Sequence, residues 1–214
     1  SEASKAGYYV DRKLLEHVYD HLEEMAEGKR IRDLTDAHRV YAAYVLAQAG
    51  RLEQRVVTYL KRLDAAGLGQ CSRYQLAGAL AISGNMTEAV RLVPVDIQPN
   101  VFEPETGGDF NSAVRTDAIL LETMLRVDPD GASTDLVAKS LMDRAQAGQW
   151  YTTQDNAFAL MALGKYFKRK SQFGYSGQVR IDGDKSYNID STGFGLTRKD
   201  LGGKTATLTV TSGE

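Results

Sequence analysis

Apolar positions recur every three or four residues through about the first 170 residues, and glycine or proline closes most of the runs. That period stacks side chains on one face of a helix, so the pattern predicts successive amphipathic α-helices. From Asp11 to Glu27 the stripe is Leu14, Leu15, Val18, Leu22 and Met25, and Gly28 ends it. From Asp36 to Ala49 small residues dominate (Ala37, Ala42, Ala43, Ala47, Ala49), with Val40, Tyr44 and Leu46 among them. Gly50 fits the left-handed position just past a helix end. Leu52 to Ala66 carries Val56, Tyr59, Leu60 and Leu63 and stops at Gly67; Ser72 to Ser83 stops at Gly84. A short helix from Met86 to Val93 has Asn85 and Glu88 at N-cap and N3 spacing and Pro94 as its stop. A long connection through Pro99, Pro104, Gly107 and Gly108 leads to Ser112–Val127, Ser133–Ala147 and Thr153–Lys168, about eight helices in all. Short turns between helices imply antiparallel neighbours.

Four segments resemble one another: AYVLAQAGR from Ala43, LAGALAISGN from Leu76, AILLETMLRV from Ala118 and AFALMALGKY from Ala157. Small residues let helix backbones approach closely, which makes these the expected inner helices of stacked pairs, in a solenoid or a closed toroid. Gly50 and Gly84 stand 34 residues apart, the tetratricopeptide period, but the Trp, Leu-Gly and Pro pattern of that repeat is missing.

After Gln172 the period changes to two. Gln178 to Ile181, Ser186 to Ile189 and Thr205 to Thr211 alternate polar with apolar or β-branched residues, and Gly183, Gly193, Gly202 and Gly203 punctuate them. Three or so strands close no sandwich, so this part reads as the opening of a β domain. The expected organisation is a helical domain over 1–170 and the start of a β domain over 171–214.

The segment from Gly148 through Trp150-Tyr151-Thr152-Thr153-Gln154-Asp155-Asn156-Ala157 to Phe167 resembles the end of the thioester domain in bacterial alpha-2-macroglobulins, where a Trp, a Ser/Thr-Thr-Gln turn and a following helix close an α/α toroid. Gly107-Gly108-Asp109-Phe110-Asn111-Ser112-Ala113-Val114-Arg115-Thr116-Asp117-Ala118 is similar to that family's approach to a late helix, and Gly7-Tyr8-Tyr9-Val10 to its mid-domain helix start. Together these cover most of residues 7 to 168, and the strands from Gly177 onward resemble the following β module more loosely. The resemblance implies a mainly α fold of antiparallel hairpins in an α/α toroid, with a short incomplete β segment at its C-terminal end. It further implies part of a broad-spectrum endopeptidase inhibitor, a bacterial defence protein. The parent would be a periplasmic trap, with a membrane-anchored lipoprotein as one form of it. Proteases, met through the parent, and other macroglobulin domains of the same chain are the implied partners.

Trapping chemistry in that family needs a thiolate and a Gln carboxamide three residues on, in Cys-x-Glu-Gln. Cys71 is the only cysteine and is followed by Ser72, Arg73 and Tyr74, so the third position is Tyr. The thioester is therefore expected upstream of this sequence, or absent from the parent. A lone cysteine also forms no internal disulfide.

Composition narrows the partners. Across 214 residues, Lys plus Arg number 26 against 28 for Asp plus Glu, which gives no field that draws phosphate backbones, so nucleic acid is not expected. No run of roughly 18 apolar residues appears, so no membrane insertion of this sequence is expected. The basic cluster Lys165, Lys168, Arg169 and Lys170 falls in a predicted last helical turn, where cations complement the macrodipole.

The remaining polar constellations read as structural. His17 and His21 stand four apart with Glu24 beyond them, but lack the His-Glu-x-x-His arrangement of a metalloprotease. Asp128-Pro129-Asp130-Gly131 is a turn, since Ala132 occupies the next calcium-loop position, and Asp182-Gly183-Asp184 is a hairpin turn. Arg115 and Asp117 are candidates to pair with Gln154 or Asp155 across two helix starts. Gly148 and Trp150 faintly match a triterpene-cyclase repeat, whose required Gln is here Arg144. No residue is assigned a catalytic, cofactor-binding or metal-binding role, and no cofactor and no enzymatic activity are expected. The alternatives are a helical-repeat interaction scaffold, whose concave face would carry Tyr41, Tyr44 and Tyr74, and an α/α-toroid enzyme such as a glycosidase with two convergent carboxylates.

Overall fold

A computed structural model describes residues 7–29, 33–93, 112–170, 175–181, 185–190, 203–204 and 206–213. Eight α-helices lie among them: α1 Arg12–Glu27, α2 Asp36–Gln48, α3 Gln54–Leu60, α4 Gln70–Ile82, α5 Met86–Leu92, α6 Ala113–Val127, α7 Ala132–Gln146 and α8 Thr153–Lys170. Three strands follow: β1 Tyr175–Ile181, β2 Lys185–Asp190 and β3 Ala206–Gly213. No strand precedes residue 94 among the described residues. The chain packs as two compact units, Ser1–Leu163 and Gly164–Glu214.

Local signals set most helix ends. Asp11 caps α1 by accepting from Lys13 N and Leu14 N, and Gly28 closes the helix in the left-handed region at φ 75°. Thr35 and His38 form a reciprocal box at the start of α2: the Thr35 hydroxyl accepts from His38 N, and His38 Nδ1 accepts from Thr35 N. Two expectations change. The run from Leu52 to Ala66 is not one helix, because α3 stops at Leu60 and the Asp64 carboxylate accepts from Ala66 N to fold a 3₁₀ turn instead. Asn85 does not cap α5 with its side chain; its amide donates to Ser83 O, while Glu88 pairs with Lys61 at 2.7 Å.

The first unit is built in two layers. Hairpin partners pack against each other as α1 with α2, α4 with α5 and α6 with α7, while α2, α4 and α6 pack side by side. Contacts along α1 and α2 run in opposite senses, with Arg39 Nε donating to Ala26 O and Arg51 reaching back to Glu23 and Glu16. Contacts between α2 and α6 ascend together: Tyr41 faces Arg115, Tyr44 faces Glu122, and Gln48 faces Glu122 and Arg126. The starts of α6 and α8 also ascend together, through Ser112 with Asp155 and Arg115 with Phe158. The even-numbered helices α2, α6 and α8 therefore run parallel, as the inner helices of stacked α-hairpins do. All four small-residue segments of the sequence lie on the even-numbered helices.

The centre of this layer is α4, buried at Cys71, Ser72 and every residue from Tyr74 to Ala81. A helix buried all round occupies the core and not its rim. Leu46, Leu60, Leu76, Leu80, Ile119 and Leu141 are among its fully buried side chains. At Gly78 the helices come closest: a Cβ there would lie 2.7 Å from Tyr44 Cε2 and 3.0 Å from Thr123 Oγ1.

In the second unit the strands form an antiparallel sheet in the order β2-β1-β3. Its register puts Gln178 and Arg180 on one face beside Asn188, Ser186, Thr209 and Thr207, while Val179 and Ile181 turn to the other face and are buried.

Candidate functional site

Polar side chains buried between the inner helices are the most demanding feature of the fold, since each must find a partner away from water. They form two groups. In the middle of the layer the Tyr44 hydroxyl donates to Glu122 Oε2 at 2.8 Å, and Gln48 Nε2 donates to both the Tyr44 oxygen and Glu122 Oε2, at 3.0 and 3.1 Å. Arg126 completes the chain onto Gln48 Oε1 at 3.4 Å, and Thr123 Oγ1 donates to Tyr74 O at 3.1 Å. Burial pushes the Tyr44 hydroxyl well above its ordinary range, and the neighbouring Glu122 carboxylate adds to the effect.

The second group gathers where α6 and α8 begin. Ser112 caps α6 by accepting from Arg115 N, and its hydroxyl donates to Asp155 Oδ1 in a short contact. Asp155 is 2% exposed. Its second oxygen accepts from Thr152 N, and Thr152 Oγ1 accepts from Asp155 N, so the two residues form a reciprocal capping box at the start of α8, and the same carboxylate ties α8 to α6. The Arg115 guanidinium, also buried, sits 5.3 Å from the Phe158 ring centroid and 5.8 Å from that of Tyr41. Those separations suit cation–π attraction, so Arg115 links the starts of α2, α6 and α8.

Asp117 turns the other way. Its carboxyl faces α7, where Arg144 Nε lies 3.6 Å from Oδ2 and Ser140 hydrogen-bonds it. Burial pushes this carboxyl up to about 7, against the opposing pull of Arg144 and Ser140. Trp150 anchors the turn between α7 and α8 by donating from its indole Nε1 to Leu141 O at 3.2 Å.

The residues singled out in the sequence fall at the following places. Asp155 meets Ser112, and Asp117 meets Arg144, in place of the direct pairing of Asp117 with the start of α8. The Thr152-x-x-Asp155 spacing is a capping signal that the sequence reading passed over. Tyr44 and Tyr74 are buried in the inner layer and offer no open concave face; Tyr41 alone of the three is exposed, at 38%. Cys71 lies in the first turn of α4 and is 1% exposed. His17 and His21 are exposed on α1, and among the described residues no group of three or more His, Cys, Asp or Glu gathers to hold a metal. Asp128–Gly131 is a turn closed by Thr134 Oγ1 on Asp128 O at 2.6 Å. Lys168, Arg169 and Lys170 lie in the last turn of α8, with Lys170 Nζ 5.6 Å from the Tyr166 ring. Asp182-Gly183-Asp184 and the connection from Pro94 to Asn111 lie outside the described residues. On the sheet, Gln178, Arg180, Asn188, Thr207 and Thr209 line a groove of about 420 Å³. No described helix is long and apolar enough to cross a membrane.

Parallel inner helices backed by antiparallel partners, followed by an antiparallel sheet, define a mainly α fold of the α/α-hairpin class. Comparison with solved structures names the architecture: the chain has the fold of a segment of bacterial alpha-2-macroglobulins. A Salmonella alpha-2-macroglobulin reacted with methylamine superposes on 98% of the chain with a TM-score of 0.64 at 20% identity. The Escherichia coli protein activated by porcine elastase gives a TM-score of 0.59 at 18% identity, over 98% of the chain. A native E. coli structure spanning domain MG7 to the C-terminus gives 0.59 at 19% identity, again over 98%. The chain spans 14%, 19% and 34% of the length of the Salmonella, elastase-activated and MG7-to-C-terminus structures respectively. No family model matches the sequence, and a search of curated proteins finds no match.

Proposed function

We propose that this chain is a segment of a bacterial alpha-2-macroglobulin, serving as scaffold in a periplasmic protease trap. Residues 1–170 are its partial thioester-type helical domain, and 171–214 open the β domain that follows. The observation that carries the reading is coverage: the match to bacterial alpha-2-macroglobulin structures takes in 98% of the chain, helices and strands alike. The relatives' names supply the partner class, since one was solved after activation by elastase and another after activation by trypsin.

Exposed apolar stripes favour a scaffold that packs on further helices. Leu14 and Val18, one turn apart on α1, are 63% and 46% exposed, and Leu160 and Phe167, seven apart on α8, are 61% and 50% exposed. These faces lie on the first and last of the described helices, where a closed toroid would seat its remaining hairpins.

Thioester capture is not a property of this chain, because Cys71 is buried and has Tyr74 where a thioester needs Gln; it lies upstream in the parent or is absent from it. The test is incubation with trypsin and elastase followed by denaturing gels. The 214-residue chain forms no adduct stable to boiling. Such an adduct on this chain alone would refute the reading of it as scaffold without capture chemistry.

A further inference from the structure

The sheet of the second unit has two unlike faces. Its central strand β1 turns Val179 and Ile181 to a buried apolar side, the side on which an antiparallel sheet packs a further layer. The opposite side is polar. There the register sets two rows across the three strands, Asn188, Gln178 and Thr209 in one and Ser186, Arg180 and Thr207 in the next. The rows stand two residues apart along the strands, about 7 Å, and each spans about 10 Å of sheet. The groove of about 420 Å³ lies on this face, a size within the range of small-molecule sites. Gly177 adds bare backbone to its lining, beside the register shift between β1 and β3.

The lining is rich in donors and holds no acidic side chain among the described residues. Gln178 Nε2 donates to Asn188 Oδ1 at 3.4 Å, which leaves the Asn188 Nδ2 donors and the Gln178 Oε1 acceptor for a ligand. Arg180 Nε donates to Ser186 Oγ at 3.4 Å, and among the described residues its Nη nitrogens engage nothing. A guanidinium edge selects a planar oxyanion, above all a carboxylate, through paired N–H bonds. A carboxylate alone uses one row and leaves the amides of the other idle. The rest of the ligand therefore carries hydroxyls, because an amide offers donor and acceptor side by side and no apolar or aromatic side chain is among the described lining residues.

We propose that this groove binds an acidic sugar, with the carboxylate of a uronate unit on Arg180 and neighbouring sugar hydroxyls on Gln178, Asn188 and Thr209. Every residue invoked lies on the sheet, so the 214-residue chain is sufficient for the test.

The experiment titrates the isotope-labelled chain with digalacturonate at low salt, following the side-chain amide signals of Gln178 and Asn188 and the Nε–H signal of Arg180 by nuclear magnetic resonance. Saturable shifts of all three signals are expected. Arg180→Gln weakens binding by at least about tenfold, and the near-isosteric Thr209→Val by about fivefold, with circular dichroism confirming that both variants fold. The dimethyl ester of the probe, which keeps the hydroxyls and loses the charges, binds at least about tenfold more weakly than the acid. The proposal is overturned by the absence of saturable shifts, or by an affinity that Arg180→Gln leaves unchanged. Sulfate or tetraglutamate binding as tightly as digalacturonate overturns it too, since the groove would then read charge and not a sugar.

Discussion

Two glycine-to-alanine substitutions, made in the same chain, separate close helix packing from intrinsic helix preference. Both Gly78 in α4 and Gly164 in α8 lie inside helices. Alanine is favoured over glycine there by about 1 kcal/mol, because it has less backbone freedom to lose. At Gly164 a Cβ meets nothing within 4 Å, so the gain is expressed. At Gly78 a Cβ falls 2.7 Å from the Tyr44 ring and 3.0 Å from Thr123 Oγ1, contacts that real Cβ atoms do not keep. Overpacking of this kind costs about 1–3 kcal/mol. Displacing Tyr44 also loosens its hydroxyl from Glu122, a bond to a charged group worth about 1.5–3 kcal/mol if lost. The net expectation for Gly78→Ala is destabilisation of roughly 1–3 kcal/mol, and for Gly164→Ala stabilisation of roughly 0.5–1 kcal/mol. In a chain of this size each kcal/mol moves Tm by about 2–4 °C. Thermal melts followed by circular dichroism at 222 nm measure both. The reasoning is refuted if Gly78→Ala melts at or above the parent temperature.

Tyr44→Phe removes the central hydroxyl of the inner layer and is expected to cost about 1–3 kcal/mol in urea unfolding, with a double-mutant cycle against Glu122→Gln returning a coupling above about 0.5 kcal/mol. Asp155→Ala is expected to cost about 2–3 kcal/mol, since it removes the bond from Thr152 N that completes the α8 capping box and the tie to Ser112; a loss no greater than that of an exposed cap would contradict the tie. For Asp117 burial raises the folded value to about 7 from an ordinary 3.8, so the neutral form favours the fold. Its contribution is full below about pH 4 and is lost as pH rises through 7, by up to about 4 kcal/mol for a three-unit shift. Asp117→Asn should flatten this decline when unfolding is measured at pH 5 and pH 8. Cys71 should resist a thiol reagent until the chain unfolds, and methylamine should leave its mass unchanged; rapid labelling of the native chain would mean that α4 opens.

The helices were legible because their apolar periodicity and caps are local properties. The even-numbered helices could be picked out as inner ones because alanine and glycine betray close backbone approach before any contact is known. The polar interior was harder to see. Arg115 and Asp117 could be read as pairing with the start of α8, but not as buried, yet α6 is buried continuously from Val114 to Leu121. Their partners lie 43 residues away at Phe158 and 27 away at Arg144, separations that no local pattern reports. The break between Leu60 and Ala65 was missed for a related reason: one Asp64 side chain competing for a backbone N–H outweighed a run of good helix formers.

The central claim, that this fold is scaffold in a protease trap, is tested most directly by a shielding assay on the full-length product of the same gene. Trypsin is mixed with that protein, and its hydrolysis of a small peptide amide is compared with its hydrolysis of a large protein substrate. The account predicts that peptide hydrolysis continues while protein hydrolysis falls, and that the 214-residue chain alone changes neither. Undiminished protein hydrolysis in the presence of the full-length protein would contradict it.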